Sequence, residues 1–261
     1  MAELNGVPVG VAEMQALALT NYGHFTTMRV EGGGVRGLSL HLDRLVRDCR
    51  AVFDADLDPD RVRDLVRHAI VDHSGPVVVR VTVFDPDLSV ARPAAEATPD
   101  VLVTTRAAAD GEQPPLRLRS AVYRRDTPEV KHVGLYGALR LRRAAQRDGY
   151  DDVVFTSPDG AVSEIATSNL GLVRDGHVVW PSEPHLPGVT MRLLDRAWGP
   201  SAVRYEPVTL ADLATADAVF ATNATIGVRA VAGIDGTDLP PDHPALRELR
   251  EHYREIPFET V

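Results

Sequence analysis

Residues 131–173, KHVGLYGALRLRRAAQRDGYDDVVFTSPDGAVSEIATSNLGLV, open on the only lysine of a chain that carries 27 arginines. Their pattern predicts a helix from about Gly134 to Arg147, ended by Gly149, then the strand VVFT, a turn at SPDG and the strand NLGLV. Immediately upstream, RLRSAVYR reads as a strand, and Thr127-Pro128 breaks the chain before the lysine. Lys131 therefore stands between a strand and a helix start, a place from which a side chain can be aimed into a cleft. A compositional bias toward arginine would leave such a lysine by chance, as an exposed charge at a helix start. Its surroundings have to decide between the two.

Upstream of this stretch, AAADGEQPP is small, polar and proline-ended, with no apolar period, which predicts an interdomain linker at 108–117. That divides the chain into a small α/β lobe over 1–107 and a larger lobe over 118–261. In the first lobe, Phe25 to Val30 and Leu38 to His41 read as the two strands of a hairpin, with EGGGVRG as its turn. A helix follows in LDRLVRDCRAVF, where Leu42, Leu45, Val46, Cys49, Val52 and Phe53 recur at helical spacing and leave Asp43, Arg47, Asp48 and Arg50 for the outer face. Asp60 is placed to cap a second helix running to His73, after which VVVRVTVF and VLVTTR are strands. In the second lobe, NLGLV and HVVW are joined by RDG as a hairpin, TMRLLDRAW is a helix closed by Gly199, and ADAVFATN is a further strand. The expected class is α+β.

Composition excludes several functions. A formal net charge of -9 argues against a nucleic-acid surface, which needs clustered cations. With 44% hydrophobic and 25% charged residues and no apolar run of membrane length, the chain reads as a folded protein with no membrane partner. The start, MAELNGVPVGVAEM, lacks the layout of a secretory signal, so a cytoplasmic location is expected. Cys49 is the lone cysteine, which excludes an internal disulfide. Gly32, Gly34 and Gly37 spell G-x-G-x-x-G, but LSLH after them reads as a strand where the dinucleotide fingerprint needs a helix. No H-E-x-x-H or G-x-S-x-G occurs, and Asp56, Asp58 and Asp60 lack the glycine and glutamate that complete a calcium loop, so no metal site is expected.

A lysine that forms a Schiff base must present a neutral amine, which desolvation favours. The stretch from Lys131 to Val173 resembles the core signature of the class IV, fold-type IV, pyridoxal 5′-phosphate (PLP) dependent aminotransferases. HLDRL, LPGVTMRLL and ATNATIGVRAV resemble the family's other markers in the expected order, so the match runs from Asn5-Gly6 to Val231. The resemblance implies a two-lobed fold: a small α/β lobe, a larger lobe with a β-barrel-like sheet, and a cleft holding PLP in a homodimer. It implies that Lys131 forms the Schiff base with the cofactor and that Glu164 faces the pyridine nitrogen. It also implies that Tyr136 meets the 3′-oxygen and that Asn169 supports the same loop, whose shape Ile165 alters where the family has a small residue.

For the phosphate, Pro187-Gly188-Val189-Thr190 just ahead of a helix offers exposed backbone N–H groups and the favourable end of the helix dipole. The resemblance adds Arg44 of HLDRL as a phosphate clamp, and a second loop, Asn223-Ala224-Thr225, in which either Ala224 stands for the family's hydroxyl residue or Thr225 substitutes for it. By alternation Phe25 and Thr27 share one face of their strand and line the substrate side, and Arg80 on VVVRVTVF matches a position that meets a substrate carboxylate. Transamination between an amino donor and a 2-oxoacid is the favoured reaction. FTT-x-RV also resembles aminodeoxychorismate lyases, in which the residue at Thr27 assists elimination of pyruvate. A non-catalytic ligand-binding relative is the third reading.

Overall fold

The computed structural model describes residues 1–109 and 111–261; the expected linker at 108–117 therefore includes one residue, Asp110, outside the described residues. The chain divides into two compact units, the first formed by Met1–Asp110, Val130–Gly134 and Phe258–Val261, the second by Gly111–Glu129 and Leu135–Pro257. The architecture is α+β.

In the first unit, β1 (Ala2–Leu4), β2 (Val7–Pro8), α1 (Val11–Thr20), β3 (His24–Val30), β4 (Gly34–Arg36), α2 (Leu38–Phe53), α3 (Pro59–Ile70), β5 (Val77–Phe84) and β6 (Asp100–Ala107) follow in order. Five of the strands form an antiparallel sheet in the order β2-β1-β6-β5-β3. The valine-rich β5 sits inside it with both backbone edges paired, and α2 and α3 cover one face. Met28, Leu38, Leu42, Leu45, Cys49, Val62, Val66, Val79, Val81 and Val103 make the core there.

Leu38–His41 is helical, which corrects the expected second hairpin strand. Leu38 and Leu40 alternate like a strand, but Leu38, Leu42, Leu45 and Cys49 form one helical stripe, and burying the longer stripe wins. The chain does reverse after β3, through the Glu31–Gly34 bridge, but the short β4 that follows pairs with the C-terminal strand rather than with β3. Gly32 and Gly33 make that turn at φ 55° and 77°, conformations in which a side chain is strained. Gly37, at φ 70°, then opens α2. The dinucleotide reading still fails, for a different reason from the one expected: β3 is an antiparallel edge strand, and the first turn of α2 is already capped. The C-terminal strand Phe258–Thr260 pairs with β4, and the Glu259 carboxylate accepts from the Ser39 amide at 2.8 Å.

Two smaller corrections follow the same logic. Asp58, not Asp60, caps α3, accepting from the Asp60 amide with Pro59 in the first helical position, and the helix ends at Ile70 rather than His73. Asp48, assigned to the outer face of α2, is fully buried.

The second unit contains β7 (Leu116–Val122), α4 (Tyr136–Arg147), β8 (Asp152–Thr156), β9 (Val162–Ile165), β10 (Asn169–Arg174), β11 (His177–Pro181), α5 (Val189–Trp198), β12 (Val203–Glu206), α6 (Leu210–Ala214), β13 (Ala218–Asn223), β14 (Gly227–Ile234), β15 (Thr237–Asp238) and α7 (Pro244–Glu255). Its sheet runs β12-β11-β10-β13-β14-β7-β8-β9, with β15 beside β14. The end strand β9 curls back toward β10 through the Ile165–Ser168 bridge, so the sheet is half-barrel-like. Leu118, Val154, Ile165, Leu170, Leu172, Val219 and Val231 fill its inner side, while α5 and α7 cover Trp180 and Phe220 on the outer side.

The β10–β11 hairpin turns through Asp175 and Gly176, at φ 51° and 74°, as the RDG signal implied. Between the inward Leu170 and Leu172, Gly171 faces outward, where a Cβ would come within 2.5 Å of Phe220 Cζ and 2.7 Å of Trp180 Cζ3. Gly171→Ala is expected to destabilise this unit by about 1–3 kcal/mol through overpacking. Tryptophan fluorescence during urea unfolding reads this directly, because Trp180 and Trp198 both lie in this unit.

Candidate active site

Lys131 lies along the free edge of β3. The Phe25 amide donates to the Lys131 carbonyl at 2.8 Å, the Val133 amide donates to the Gly23 carbonyl at 2.9 Å, and His24 pairs with His132. From α2, the Asp48 carboxylate accepts from the Lys131 amide at 3.0 Å and from Arg47 Nη2 at 2.7 Å. The backbone of the lysine is thus clamped on two sides, which leaves its side chain to be aimed. Lys131 Nζ stands 4.9 Å from the centre of the Phe25 ring, and the Arg80 guanidinium stacks over the same ring at 3.7 Å.

Thr27 lies directly opposite Arg80 in the β3–β5 register, so Phe25, Thr27 and Arg80 share one face of the sheet. Among the described residues no carboxylate pairs with Arg80, and burial alone lowers its pKa. A half-buried cation without an anion is costly, so this guanidinium is suited to meet a carboxylate from outside the chain.

The opposite face of β3 carries His24, Thr26 and Met28 toward α2. Here Arg44, nearly buried, donates to Thr26 Oγ1. The His24 ring is fully buried beside Phe53; burial, reinforced by Arg44 and Arg47, lowers its pKa to about 3.

In the second unit Glu164 lies one residue from the end of β9 with its side chain nearly buried. Its Oε1 accepts from Arg125 Nε at 2.7 Å, and Arg125 Nη2 reaches the Ala166 carbonyl at 2.9 Å. Arg125 thereby holds the carboxylate and the loop after it together. No sequence signal singled it out from the other arginines. Asn169, at the start of β10, donates from Nδ2 to the Leu186 carbonyl at 2.7 Å and braces the turn before α5. A Cβ on Gly188 would collide with Asn169 Oδ1, so the close approach of strand and turn requires a glycine.

Gly188 leaves the start of α5 without a side-chain cap, and Val189 and Thr190 occupy its first turn, both buried. Thr190 Oγ1 is buried with no hydrogen-bond partner, as is Thr222 Oγ1, on the residue opposite Asn169 in the β10–β13 register. Uncommitted N–H groups at a helix start, together with orphan hydroxyls, suit a phosphate. No sequence signal marks Thr222, because a threonine near the end of an apolar strand reads as ordinary β structure.

The loop after Thr222 is self-bonded. Asn223 Oδ1 accepts from the Thr225 amide, from Thr225 Oγ1 at 2.8 Å and from the Ile226 amide, while Asn223 Nδ2 donates to Ser168 at 3.0 Å. The Thr225 hydroxyl proton is therefore spent within the loop, and Ala224 has none to offer. Tyr136 starts α4 with its residue 77% exposed, so the chain's own packing does not fix that ring.

A profile of the amino-transferase class IV family matches residues 23–234. The chain belongs to that family. No curated protein sequence matches it. Among solved structures it is similar to a hypothetical aminotransferase from Mycobacterium tuberculosis in its PLP-bound form, at 19% identity and TM-score 0.83, with 97% of each chain covered. A candidate 4-amino-4-deoxychorismate lyase from Legionella pneumophila shares 23% identity at TM-score 0.81 over 96% of each chain. The branched-chain amino acid aminotransferase from Escherichia coli shares 20% at TM-score 0.81, covering 90% of this chain and 85% of that one. At these identities the likeness carries the fold. The class IV family binds PLP and has the fold-type IV architecture seen in the two units. Among the described residues no helix is long and apolar enough to cross a membrane.

Asp48→Ala removes the acceptor of the Lys131 amide, and the 130–134 segment is expected to lose hydrogen-exchange protection measured by mass spectrometry. His24 gives a pH signature. It stays neutral when folded, whereas in the unfolded chain it takes up a proton below about pH 6.5. Its contribution is therefore complete above pH 6.5 and is lost as pH falls toward 3, by up to about 1.4 kcal/mol per pH unit. Between pH 6.5 and 4, stability measured by urea unfolding should fall less steeply in His24→Leu than in the unsubstituted protein.

Proposed function

We propose that this class IV family member is a PLP-dependent aminotransferase that moves an amino group from an amino acid or amine to a 2-oxoacid, with Lys131 as its Schiff-base residue. The observation that carries the reading is the seat of the chain's one lysine: a backbone clamped by Asp48 and β3, with its amine on the face that presents Phe25, Thr27 and Arg80, a cation with no carboxylate partner among the described residues.

The residues fit PLP. In the second unit, the helix start at Gly188-Val189-Thr190, with the orphan Thr190 and Thr222 hydroxyls, suits a phosphate; in the first unit, Arg44 is a cation of the kind that clamps one. Glu164, fixed by Arg125, supplies the anion that keeps a pyridine nitrogen protonated. When bound, PLP supplies an aldehyde for amine exchange and a ring that accepts electrons from the substrate Cα. Lys131 Nζ would hold the cofactor through its neutral amine, and that amine would also be the base for the Cα proton of the donor. Arg80 receives a substrate carboxylate in a bidentate pairing and so orients Cα toward that amine. Asn169 keeps the phosphate turn in place, and in the Asn223–Thr225 loop, whose Thr225 amide is taken by Asn223 Oδ1, the donor role is assigned to the Ala224 backbone N–H. The exposed Tyr136 is assigned to the cofactor's 3′-oxygen. The assembly is proposed to be a homodimer acting in the cytoplasm.

Elimination of pyruvate from aminodeoxychorismate is the second reading. The observation favouring it is Thr27, half-buried beside Arg80 and placed to act on a leaving group.

Borohydride reduction of the PLP-loaded protein is expected to fix one pyridoxyl group at Lys131, located by peptide mapping. Lys131→Ala and Lys131→Arg should both lose the label and turnover, since a guanidinium with pKa above ~12 supplies no neutral amine. Label on the N-terminal amine alone, or full activity in either variant, overturns the proposal. A panel of D- and L-amino acids with 2-oxoacids, run beside aminodeoxychorismate and scored for pyruvate, separates transaminase from lyase.

A further inference from the structure

The buried polar group on the α2 face of β3 is not explained by packing. Its members are Thr26, His41 and Arg44: Thr26 and His41 are fully buried, and Arg44 is 5% exposed. The neighbouring inward residues of β3 and α2, Met28, Val30, Leu42 and Leu45, are apolar and build the core that a valine and a leucine at 26 and 41 would extend. His41 Nε2 is moreover buried with no hydrogen-bond partner. A core that retains an unmet polar atom forgoes stability at that point, which is expected where the group serves something else.

The hydrogen-bond order in this group is fixed by what each side chain can give. A guanidinium only donates, so the Arg44 Nη2 proton goes to Thr26 Oγ1. The Thr26 hydroxyl has one proton of its own, and the acceptor within reach is His41 Nδ1 at 2.6 Å. Nδ1 must then offer its lone pair, which puts the imidazole proton on Nε2 and leaves the ring neutral. Burial first, then Arg44 and Lys131, hold the His41 pKa well below its usual value, so this order persists across the neutral range. His41 and Arg44 are three residues apart and lie on one face of α2, so helix and strand together fix the chain Arg44, Thr26, His41.

We infer that Thr26 and His41 are positioning residues that set the plane of the Arg44 guanidinium for the cofactor's phosphate. This rests on the PLP reading proposed above. A guanidinium grips a phosphate through a planar fork, so rotation about its stem changes how many protons reach the anion. Thr26 fixes that rotation by taking one Nη2 proton in a definite direction. His41 fixes the direction of the Thr26 hydroxyl.

The test compares the affinities of PLP and pyridoxal, which differ only in the phosphate, by absorbance titration of the intact protein. Thr26→Val and His41→Leu are expected to raise the PLP dissociation constant about tenfold and leave that of pyridoxal unchanged. Thr26→Ser and His41→Gln, which keep a hydroxyl and an acceptor, should restore most of the PLP affinity, and they keep the test decisive if an apolar variant fails to fold. In an Arg44→Ala background, Thr26→Val should add little further loss, since its effect runs through Arg44. Equal weakening of PLP and pyridoxal would show a structural role only and overturn the inference. Unchanged PLP affinity in Thr26→Val, beside a clear loss in Arg44→Ala, overturns it while leaving the PLP reading intact. A protein that binds neither ligand overturns both.

Discussion

Two backbone hydrogen bonds and one carboxylate hold the segment 131–133 on the edge of β3, and the first unit's chemistry depends on them. An edge strand exposes unpaired amides and carbonyls, a liability that proteins manage by covering the edge. Here the cover is a short piece of chain arriving from between β7 and α4, and it carries the only primary amine among the side chains. Because Phe25 is bonded to the backbone of Lys131 and to the guanidinium of Arg80 through its ring, a shift of the cover would move amine, aromatic and cation together. Asp48 resists that shift from the helix side.

Much of this was legible in the sequence. The strands VVVRVTVF and VLVTTR, the helix after Gly134, the RDG hairpin and the helix after Gly188 all announced themselves by period and by punctuating residues. The misreadings share a cause. Leu38–His41 offered four residues that fit two periods, and only the continuation to Cys49, together with the remote Glu259, decides for helix. Asp48 was assigned to solvent because aspartate usually belongs there, yet it faces inward to meet a backbone amide 83 residues away. A distant partner leaves no mark on local periodicity.

The same holds for the candidate site. Lys131 stood out by rarity, and Thr190 by its place at a helix start. Arg125 and Thr222 could not stand out: one is hidden among 27 arginines, and the other sits inside a strand that would look the same without it. What distinguishes them is geometric. Arg125 bridges Glu164 to the Ala166 carbonyl, and Thr222 keeps a buried hydroxyl without a partner.

The return of Phe258–Thr260 to β4 bears on how the protein is made. Val261 lies in the core of the first unit, Glu259 closes the first turn of α2, and Val130–Gly134 lines β3. A chain emerging from the ribosome has all five strands of the first sheet once β6 is out, yet it lacks the edge cover until residues 130–134 emerge, and the helix cap and part of the core until residues 258–261 do. Both units are thus completed only by residues near the end of this stretch, α7 for the second and 258–261 for the first, and until 130–134 has docked the β3 edge stays open to pairing with other nascent chains.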